Sequence, residues 1–319
     1  MATRAAPSRD PRVALHEMRG LLGIADLDKE AVLRILDLAQ KFKEGKDLAD
    51  PQPLRGKRVM TLFFEPSSRT KLSFQIAARN LGAEVVDFPT ATSSVKKGES
   101  LKDTVLTLQA LGVDAIVVRH PSSGAPQYIS KLVKAAVINA GDGSHEHPTQ
   151  ALVDLLTVRE RFERLTGLTV AMVGDVLHSR VARSNLLAHR LFGNRVILVG
   201  PPTLLPDELK APNVEIRYDL DSVLPDADVV ITLRIQHERM QEQFFPSVRE
   251  YARLFGLDAR RQQLLRKGAL VMHPGPMNRD IEITGAVADS SQAAITRQVA
   301  HGVHVRQAVL ALSLGGARG

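Results

Sequence analysis

The chain has 319 residues, of which 44% are hydrophobic, enough for two cores of ordinary domain size. It contains no cysteine, which excludes disulfides, thiolate catalysis and cysteine-ligated zinc, and no run approaches the roughly 20 apolar residues that a membrane helix requires. A net charge of +7 with 4% aromatic residues and no RNA- or DNA-binding motif argues against base stacking on nucleic acid; it is read as a solvated basic surface plus a few cations placed for small anionic substrates.

Residues 1 to about 12 have neither the apolar core of a secretory signal nor the amphipathic pattern of a transit peptide, and are expected to form a loose tail of a cytoplasmic protein. Asp26 is the expected cap of a helix in which Leu27, Ala31, Ile35, Leu38 and Phe42 recur at helical spacing, ended by Gly45. An apolar run to Phe64 then reads as a buried strand, and Leu72 to Ala78 as a helix closed by Gly82. Between them lies Glu65-Pro66-Ser67-Ser68-Arg69-Thr70-Lys71, so the hydroxyls and the arginine sit on a strand-to-helix turn. Free backbone N–H groups and the positive end of the helix dipole make such a turn an oxyanion cradle, here without a Walker lysine. On this segment alone, the alternative that the serines merely cap the helix stays open.

Strand Ala83–Phe88 gives way to a polar loop over residues 89–99, too long for a simple connection. Ser100 with Asp103 resembles a capping box for a helix reaching about Leu111. Strand Ala115–Val118 ends in Arg119-His120-Pro121, and strand Val137–Asn139 ends in a turn that carries His145-Glu146-His147 and leads into a helix from Gln150 to about Phe162. The two histidines lack a helical spacing and a nearby third ligand, so no metal site is expected. Gly167 marks a second start. Strand Leu168–Gly174 leads to Arg180 and a helix to about Leu191, followed by strands Val196–Gly200, Val214–Tyr218, Val229–Leu233 and Ala269–Met272. The last two end in Arg234-Ile235-Gln236 and His273-Pro274-Gly275-Pro276, and residues 296–314 read as a closing helix. This alternation predicts an α/β chain of two doubly wound parallel-sheet domains with the site in the cleft between them. Neither half has G-x-G-x-x-G at its first strand, so no dinucleotide cofactor is expected.

Arg69, Lys97, Arg119, His147, Arg180, Arg234, Gln236 and the 273–276 turn all follow the carboxyl end of a predicted strand or lie on the loop it feeds. Open α/β sheets bind ligands there, so facing sheets would gather these residues into one cleft rich in positive charge. The absence of G-x-S-x-G argues against a nucleophile elbow.

Taken in order, Ser67-Ser68-Arg69-Thr70, Ser93 through Lys97-Gly98-Glu99, Arg119-His120-Pro121, His147-Pro148-Thr149-Gln150, Arg180, Arg234-x-Gln236 and His273-Pro274-x-Pro276 resemble the catalytic chain of the aspartate/ornithine carbamoyltransferase family, on its aspartate side. The resemblance covers nearly the whole chain from about residue 15. It implies transfer of the carbamoyl group of carbamoyl phosphate to the amine of L-aspartate, giving N-carbamoyl-aspartate and phosphate, an early step of pyrimidine (UMP) synthesis. It further implies that Ser67, Ser68, Arg69 and Thr70 hold the phosphate, and that Thr70, Arg119 and His147 donate to the carbamoyl oxygen. Gln150 and the carbonyls of Gly275 and Pro276 would accept from the carbamoyl NH2, and Lys97, Arg180, Arg234 and Gln236 would take the carboxylates of aspartate. The family's loop bearing Ser93 and Lys97 enters a neighbouring subunit's site, implying a homotrimer, in some assemblies joined by regulatory chains or a dihydroorotase. The implied domains are residues 1–149 for carbamoyl phosphate, rejoined by the helix over 296–319, and 150–295 for aspartate. Ser68 stands where the family often has threonine and Gly275 where the side chain is often larger.

The ornithine enzymes share Ser-x-Arg-Thr and His-Pro-x-Gln, but typically carry a cysteine in the turn that here reads His273-Pro274-Gly275-Pro276. Lys97 and Arg234-x-Gln236 also suit a second carboxylate rather than a cationic side chain. A two-lobed anion-binding protein is the rival from another class; it would have no use for donors aimed at a carbamoyl oxygen.

Overall fold

The computed structural model describes residues 20–90, 98–235 and 247–315. The expected tail, Ser93, Lys97 and Gln236 therefore lie outside the described residues. The first sheet contains β1 (Gly20–Leu21), β2 (Arg58–Phe63), β3 (Glu84–Phe88), β4 (Ala115–His120) and β5 (Ala136–Asp142), in the order β1-β5-β4-β2-β3. The second contains β6 (Thr169–Val173), β7 (Arg195–Val199), β8 (Val214–Arg217), β9 (Val229–Thr232) and β10 (Leu270–Met272), in the order β10-β9-β6-β7-β8. Every strand pairing in both is parallel. The helices are α1 (Lys29–Glu44), α2 (Ser68–Asn80), α3 (Leu101–Ala110), α4 (Ala125–Ser130), α5 (Pro148–Phe162), α6 (Arg180–Leu191), α7 (Val248–Phe255), α8 (Ala259–Leu264), α9 (Gly285–Ala288) and α10 (Ile295–Ser313).

The central strands are apolar on both sides because helices cover both faces. Val59, Val117 and Ile138 point to one core while Met60, Leu62, Ile116 and Val118 point to another. In the second sheet Val170, Met172 and Ile231 divide in the same way from Ala171, Val173 and Val230. The inner cores of the two sheets are continuous through Leu152, Leu155 and Leu156 of α5 and Val305, Val309 and Leu310 of α10. Every residue of α5 from 148 to 158 is buried, since this helix packs against α1, α10 and β5 on one side and α6 and β10 on the other. Helix α10 returns from the second sheet to lie against α1, α2 and α5. One apolar core thus fixes how the two sheets face each other.

Several boundaries differ from those expected. Helix α1 is capped by Asp28, whose Oδ1 accepts from the Ala31 N–H at 2.7 Å, while Asp26 sits in the 3-10 turn Ile24–Asp26. Asp28 has the extended backbone a cap needs, and the buried Leu27 just before it anchors the entry. The left-handed Gly45 ends the helix as read. Strand β5 runs to Asp142, because Ala140-Gly141-Asp142, which looks like a turn, stays in the sheet with Asp142 opposite His120. Helix α5 starts at Pro148, two residues ahead of Gln150, since proline is preset for a first helical position that needs no N–H. Ser100 caps α3 as expected, its Oγ accepting from the Asp103 N–H at 3.1 Å, but the Asp103 carboxylate takes the Ser100 hydroxyl at 2.7 Å, so the reciprocal half of a capping box is not formed with the backbone. Among the described residues no helix is long and apolar enough to cross a membrane.

Candidate active site

In each sheet the chain order reverses at one place: between β2 and β4 in the first, and between β6 and β9 in the second. Ligands of open parallel sheets sit at such switch points, beyond the carboxyl ends of the strands, where the two flanking loops part in opposite directions. At the carboxyl ends of those four strands stand Ser67 to Thr70, Arg119, Arg180 and Arg234 respectively; Arg119 is still within β4, which runs two residues beyond the expected Val118. The residues singled out in the sequence therefore meet because of topology.

The anion turn has the form expected. Ser67 is the N-terminal cap residue of α2, but its side chain makes no capping hydrogen bond, so its hydroxyl remains available. The first intrahelical bond runs from Lys71 N–H to Ser67 O at 3.0 Å, which leaves the N–H groups of Ser68, Arg69 and Thr70 at the positive end of the helix dipole. His147, at the head of α5, likewise makes no side-chain cap. The capping role left open for the serines is thus not the one Ser67 plays.

Contacts knit the two sheets' loops together. The Arg69 guanidinium lies over Gly275, close enough that a Cβ there would stand 2.8 Å from Cζ. Partial burial and the nearby charge of Arg234 lower the pKa of Arg69. Arg69 and Arg234 both bear on His273, whose burial first and these cations second push its pKa down to about 3. Arg119 and Arg180 converge on Gly141, where a Cβ would lie 3.0 Å from Arg180 Nε and 3.2 Å from Arg119 Nη1. Gly141 has φ +115°, a conformation open to glycine. Arg119 Nη1 donates to Ala140 O at 3.3 Å and Arg180 Nη1 to Gly143 O at 3.2 Å. Glu65 ties them together: its Oε2 accepts from Arg180 Nη2 at 2.8 Å and lies 3.6 Å from Arg119 Nε.

His147 is buried beside this pair. Burial, then Arg119, Arg180 and Arg306, hold its pKa well below the ordinary histidine value, so the ring is neutral at physiological pH. Its Nδ1 is buried with no hydrogen-bond partner among the described residues. Its backbone N–H donates to Ser184 Oγ at 2.9 Å, and that hydroxyl donates in turn to Glu146 Oε2 at 2.7 Å. Glu146, a neighbour of the histidines weighed as metal ligands, also accepts from Ile24 N–H at 2.9 Å, so its carboxylate anchors the entry segment to the site. Gln150 is buried in the first turn of α5, and Gly275 N–H donates to His273 Nδ1 at 2.8 Å, closing the turn that contains Gly275 and Pro276.

Contacts thus bring together Arg69, Arg234, His273 and Gly275 in one group and Arg119, Arg180, Gly141 and His147 in another, with Ser67 and Thr70 on the turn that carries Arg69, while nothing is described for Ser93, Lys97 and Gln236. Sequence reading passed over Glu65, Ser184, Asp154, Gln298 and Arg306. Glu65 alone had a signal, its place in the anion turn; the others lie within helices and look like ordinary polar positions. An arginine-rich cleft with a neutral buried donor and free backbone N–H groups can hold several negative charges and stabilise an oxyanion.

Family models agree with this architecture. The carbamoyl-P binding domain of the aspartate/ornithine carbamoyltransferases matches residues 19–160, and the Asp/Orn binding domain matches residues 166–313. The aspartate carbamoyltransferase catalytic subunit of Salinispora tropica is 56% identical over 304 residues, covering 94% of this chain and 99% of its own. That of Moorella thermoacetica is 51% identical over 303 residues, with the same coverage of both. The crystal structure of aspartate transcarbamoylase from Trypanosoma cruzi in complex with carbamoyl phosphate superposes with a TM-score of 0.86 at 31% identity, over 93% of this chain and 97% of that one. With both halves matched and relatives aligned end to end, the chain belongs to the aspartate/ornithine carbamoyltransferase family.

Proposed function

We infer that the chain transfers the carbamoyl group of carbamoyl phosphate to the α-amine of L-aspartate, releasing N-carbamoyl-L-aspartate and phosphate. What supports this reading is contact between the loops of the two sheets: Arg234 bears on Arg69 of the anion turn, Arg180 reaches Glu65 and Gly143, and a neutral His147 lies beside Arg119 and Arg180. In this reading Ser67, Ser68, Arg69 and Thr70 bind the phosphate. Arg119, His147 and Thr70 donate to the carbamoyl oxygen, which gains charge as the amine attacks the carbon and a tetrahedral intermediate forms. Gln150 and the carbonyls of Gly275 and Pro276 accept from the carbamoyl NH2. Arg180 and Arg234, with Gln236 and Lys97, take the two carboxylates, a task suited to the forked guanidinium.

As the intermediate collapses, the C–O bond to phosphate breaks and the leaving group carries off its electron pair. The departing phosphate is the assigned acceptor of the amine proton, and no protein base is needed. Positioning and charge stabilisation supply the acceleration.

We further assign residues 1–149 to the carbamoyl-phosphate half, 150–295 to the aspartate half, and the segment 296–319 to the first half again; the packing of α10 on α1 and α2 supports the last point. The proposal includes a cytoplasmic homotrimer in which Ser93 and Lys97 complete a neighbour's site, acting early in pyrimidine synthesis. Phosphate release from carbamoyl phosphate, followed with L-aspartate and L-ornithine offered separately, tests the reaction. Release with ornithine alone would reject the aspartate assignment, and release with neither would reject the transferase reading. For the trimer, mixed hybrids of Lys97→Ala and Arg119→Ala chains should regain activity; hybrids as inactive as their parents would refute a shared site.

A further inference from the structure

Asp154 stands one helical turn after Gln150 on α5 and is wholly buried. Three side-chain amides converge on its carboxylate. Gln150 Nε2 donates to Oδ1 at 2.9 Å, Gln298 Nε2 donates to the same oxygen at 2.8 Å, and Asn185 Nδ2 donates to Oδ2 at 2.8 Å. They come from α5, α10 and α6. An ionised carboxylate only accepts hydrogen bonds, so each amide must turn its NH2 toward Asp154 and its carbonyl away. The orientation of Gln150 follows from this: with Nε2 held on Asp154, its Oε1 is the atom turned away from the carboxylate toward other partners. Gln298 is held the same way, and its Oε1 accepts from the His273 N–H at 3.0 Å, at the first residue of the turn that carries Gly275 and Pro276. The acceptors assigned to the carbamoyl NH2, one side-chain oxygen and two backbone carbonyls, therefore hang from a single buried carboxylate. Burial pushes the Asp154 carboxyl up to about 6, and the three amide donors, with the charge of Arg306 stacked on the Phe74 ring at 5.1 Å, work against that rise, so the group is ionised above neutral pH.

We propose that Asp154 is a positioning residue that sets the preference for a carbamoyl over an acetyl group, by locking Gln150 as an acceptor and, through Gln298, the 273–276 turn. The inference rests on the proposed carbamoyl transfer. A carbamoyl NH2 satisfies the fixed acceptors, whereas a methyl in its place leaves them desolvated and unpaired, which is how a buried polar site rejects an isostere. Were Gln150 free to rotate its amide, its NH2 would face the substrate NH2, and the carbamoyl group would lose its advantage.

The test compares wild type with Asp154→Asn, an isosteric change that offers one amide nitrogen where a carboxylate oxygen stood. Two constants are measured: kcat/KM for carbamoyl phosphate at saturating aspartate, and Ki for acetyl phosphate as a competitive inhibitor. The expected result is a loss of roughly tenfold to a hundredfold in kcat/KM with less than a threefold change in Ki. In a Gln150→Ala background the same substitution should add less than a threefold loss. A merely structural role moves both constants together; that outcome, or no change in either, overturns the inference. If Asp154→Asn does not fold, Asp154→Ser, which leaves room for water, is read by the same two constants. Wild type that releases no phosphate from carbamoyl phosphate and aspartate would instead overturn the proposed reaction, and this inference with it.

Discussion

Replacement of His147 by alanine asks whether a neutral donor stabilises the oxyanion. The imidazole is buried beside Arg119 and Arg180, and its pKa is held well below the ordinary value by burial first and these cations second. It therefore presents one N–H and no charge throughout an assay from pH 6.5 to 9. Losing one preorganised donor to a developing oxyanion costs about 2.7–4 kcal/mol, or 10²–10³ in kcat. Arg119, which bears on His147 from the same side, remains in the variant, so the loss should fall near the lower end, at roughly 10². KM for carbamoyl phosphate should change little, because the anion turn of α2 is untouched. The only hydrogen bond His147 makes to Ser184 uses its backbone N–H, which alanine keeps, so thermal unfolding followed in parallel should show a loss of packing alone. His147→Gln restores a neutral N–H and should recover part of kcat. The assay is steady-state phosphate release at saturating aspartate across that pH range. A raised KM with unchanged kcat would make His147 a ground-state contact. A limb in kcat near pH 6.5 that vanishes in His147→Ala would mean that the ring titrates, and either result refutes the reasoning.

Arg180→Lys gives up the fork that now reaches Gly143 O and Glu65 Oε2, and should raise KM for aspartate roughly tenfold to a hundredfold while leaving carbamoyl phosphate binding within threefold; equal losses for both substrates in initial-rate kinetics would contradict the assignment. Gly141→Ala places a Cβ against both Arg119 and Arg180 at a φ of +115°, so kcat/KM should drop more than tenfold and stability by about 1–3 kcal/mol; unchanged kinetics in a folded variant would show that the arginines adjust freely. His189 is buried with its pKa pushed down to about 4, so the unfolded chain binds a proton that the folded chain refuses as pH falls from about 6.5 to 4, and stability is lost over that window. Holding the ring at about 4 in place of its ordinary 6.5 corresponds to about 3 kcal/mol of stability lost across that window. His189→Gln should flatten the fall in urea-unfolding free energy between those pH values, and an identical slope would refute the assignment.

The first rank of the site is legible in the sequence because of where parallel strands put their ends. Ser67 to Thr70, Arg119, Arg180 and Arg234 each follow an apolar run, and a run of Val, Ile and Leu is recognisable without any knowledge of its neighbours. Topology then gathers those ends at two switch points, so reading the strands is nearly enough to assemble the cations. Elements lacking such a run were missed: the two-residue β1 has no periodicity to read, and α4 and α7 are too short to stand out from the loops around them. The extent of β5 was missed for a different reason, since Gly141 reads as a turn residue although here it keeps the sheet close to two arginine side chains.

The second rank is illegible on principle. Asp154 in a helical pattern looks like a solvent-facing acid, and Gln298 and Arg306 look like the polar face of a C-terminal helix. Their meaning depends on α5 being buried on every side, and that follows only from the packing of α1, α6, α10 and β10 around it. Gln298 reaches Asp154 across 144 positions of sequence, and no local spacing encodes such a contact. Strand ends therefore announce which charges meet the substrate, while the packing of helices decides which way each neutral amide faces. If Asp154 orients Gln150 as argued, the choice between two near-isosteric acyl groups is made by that packing, behind a wall of arginines that would hold either phosphate equally well.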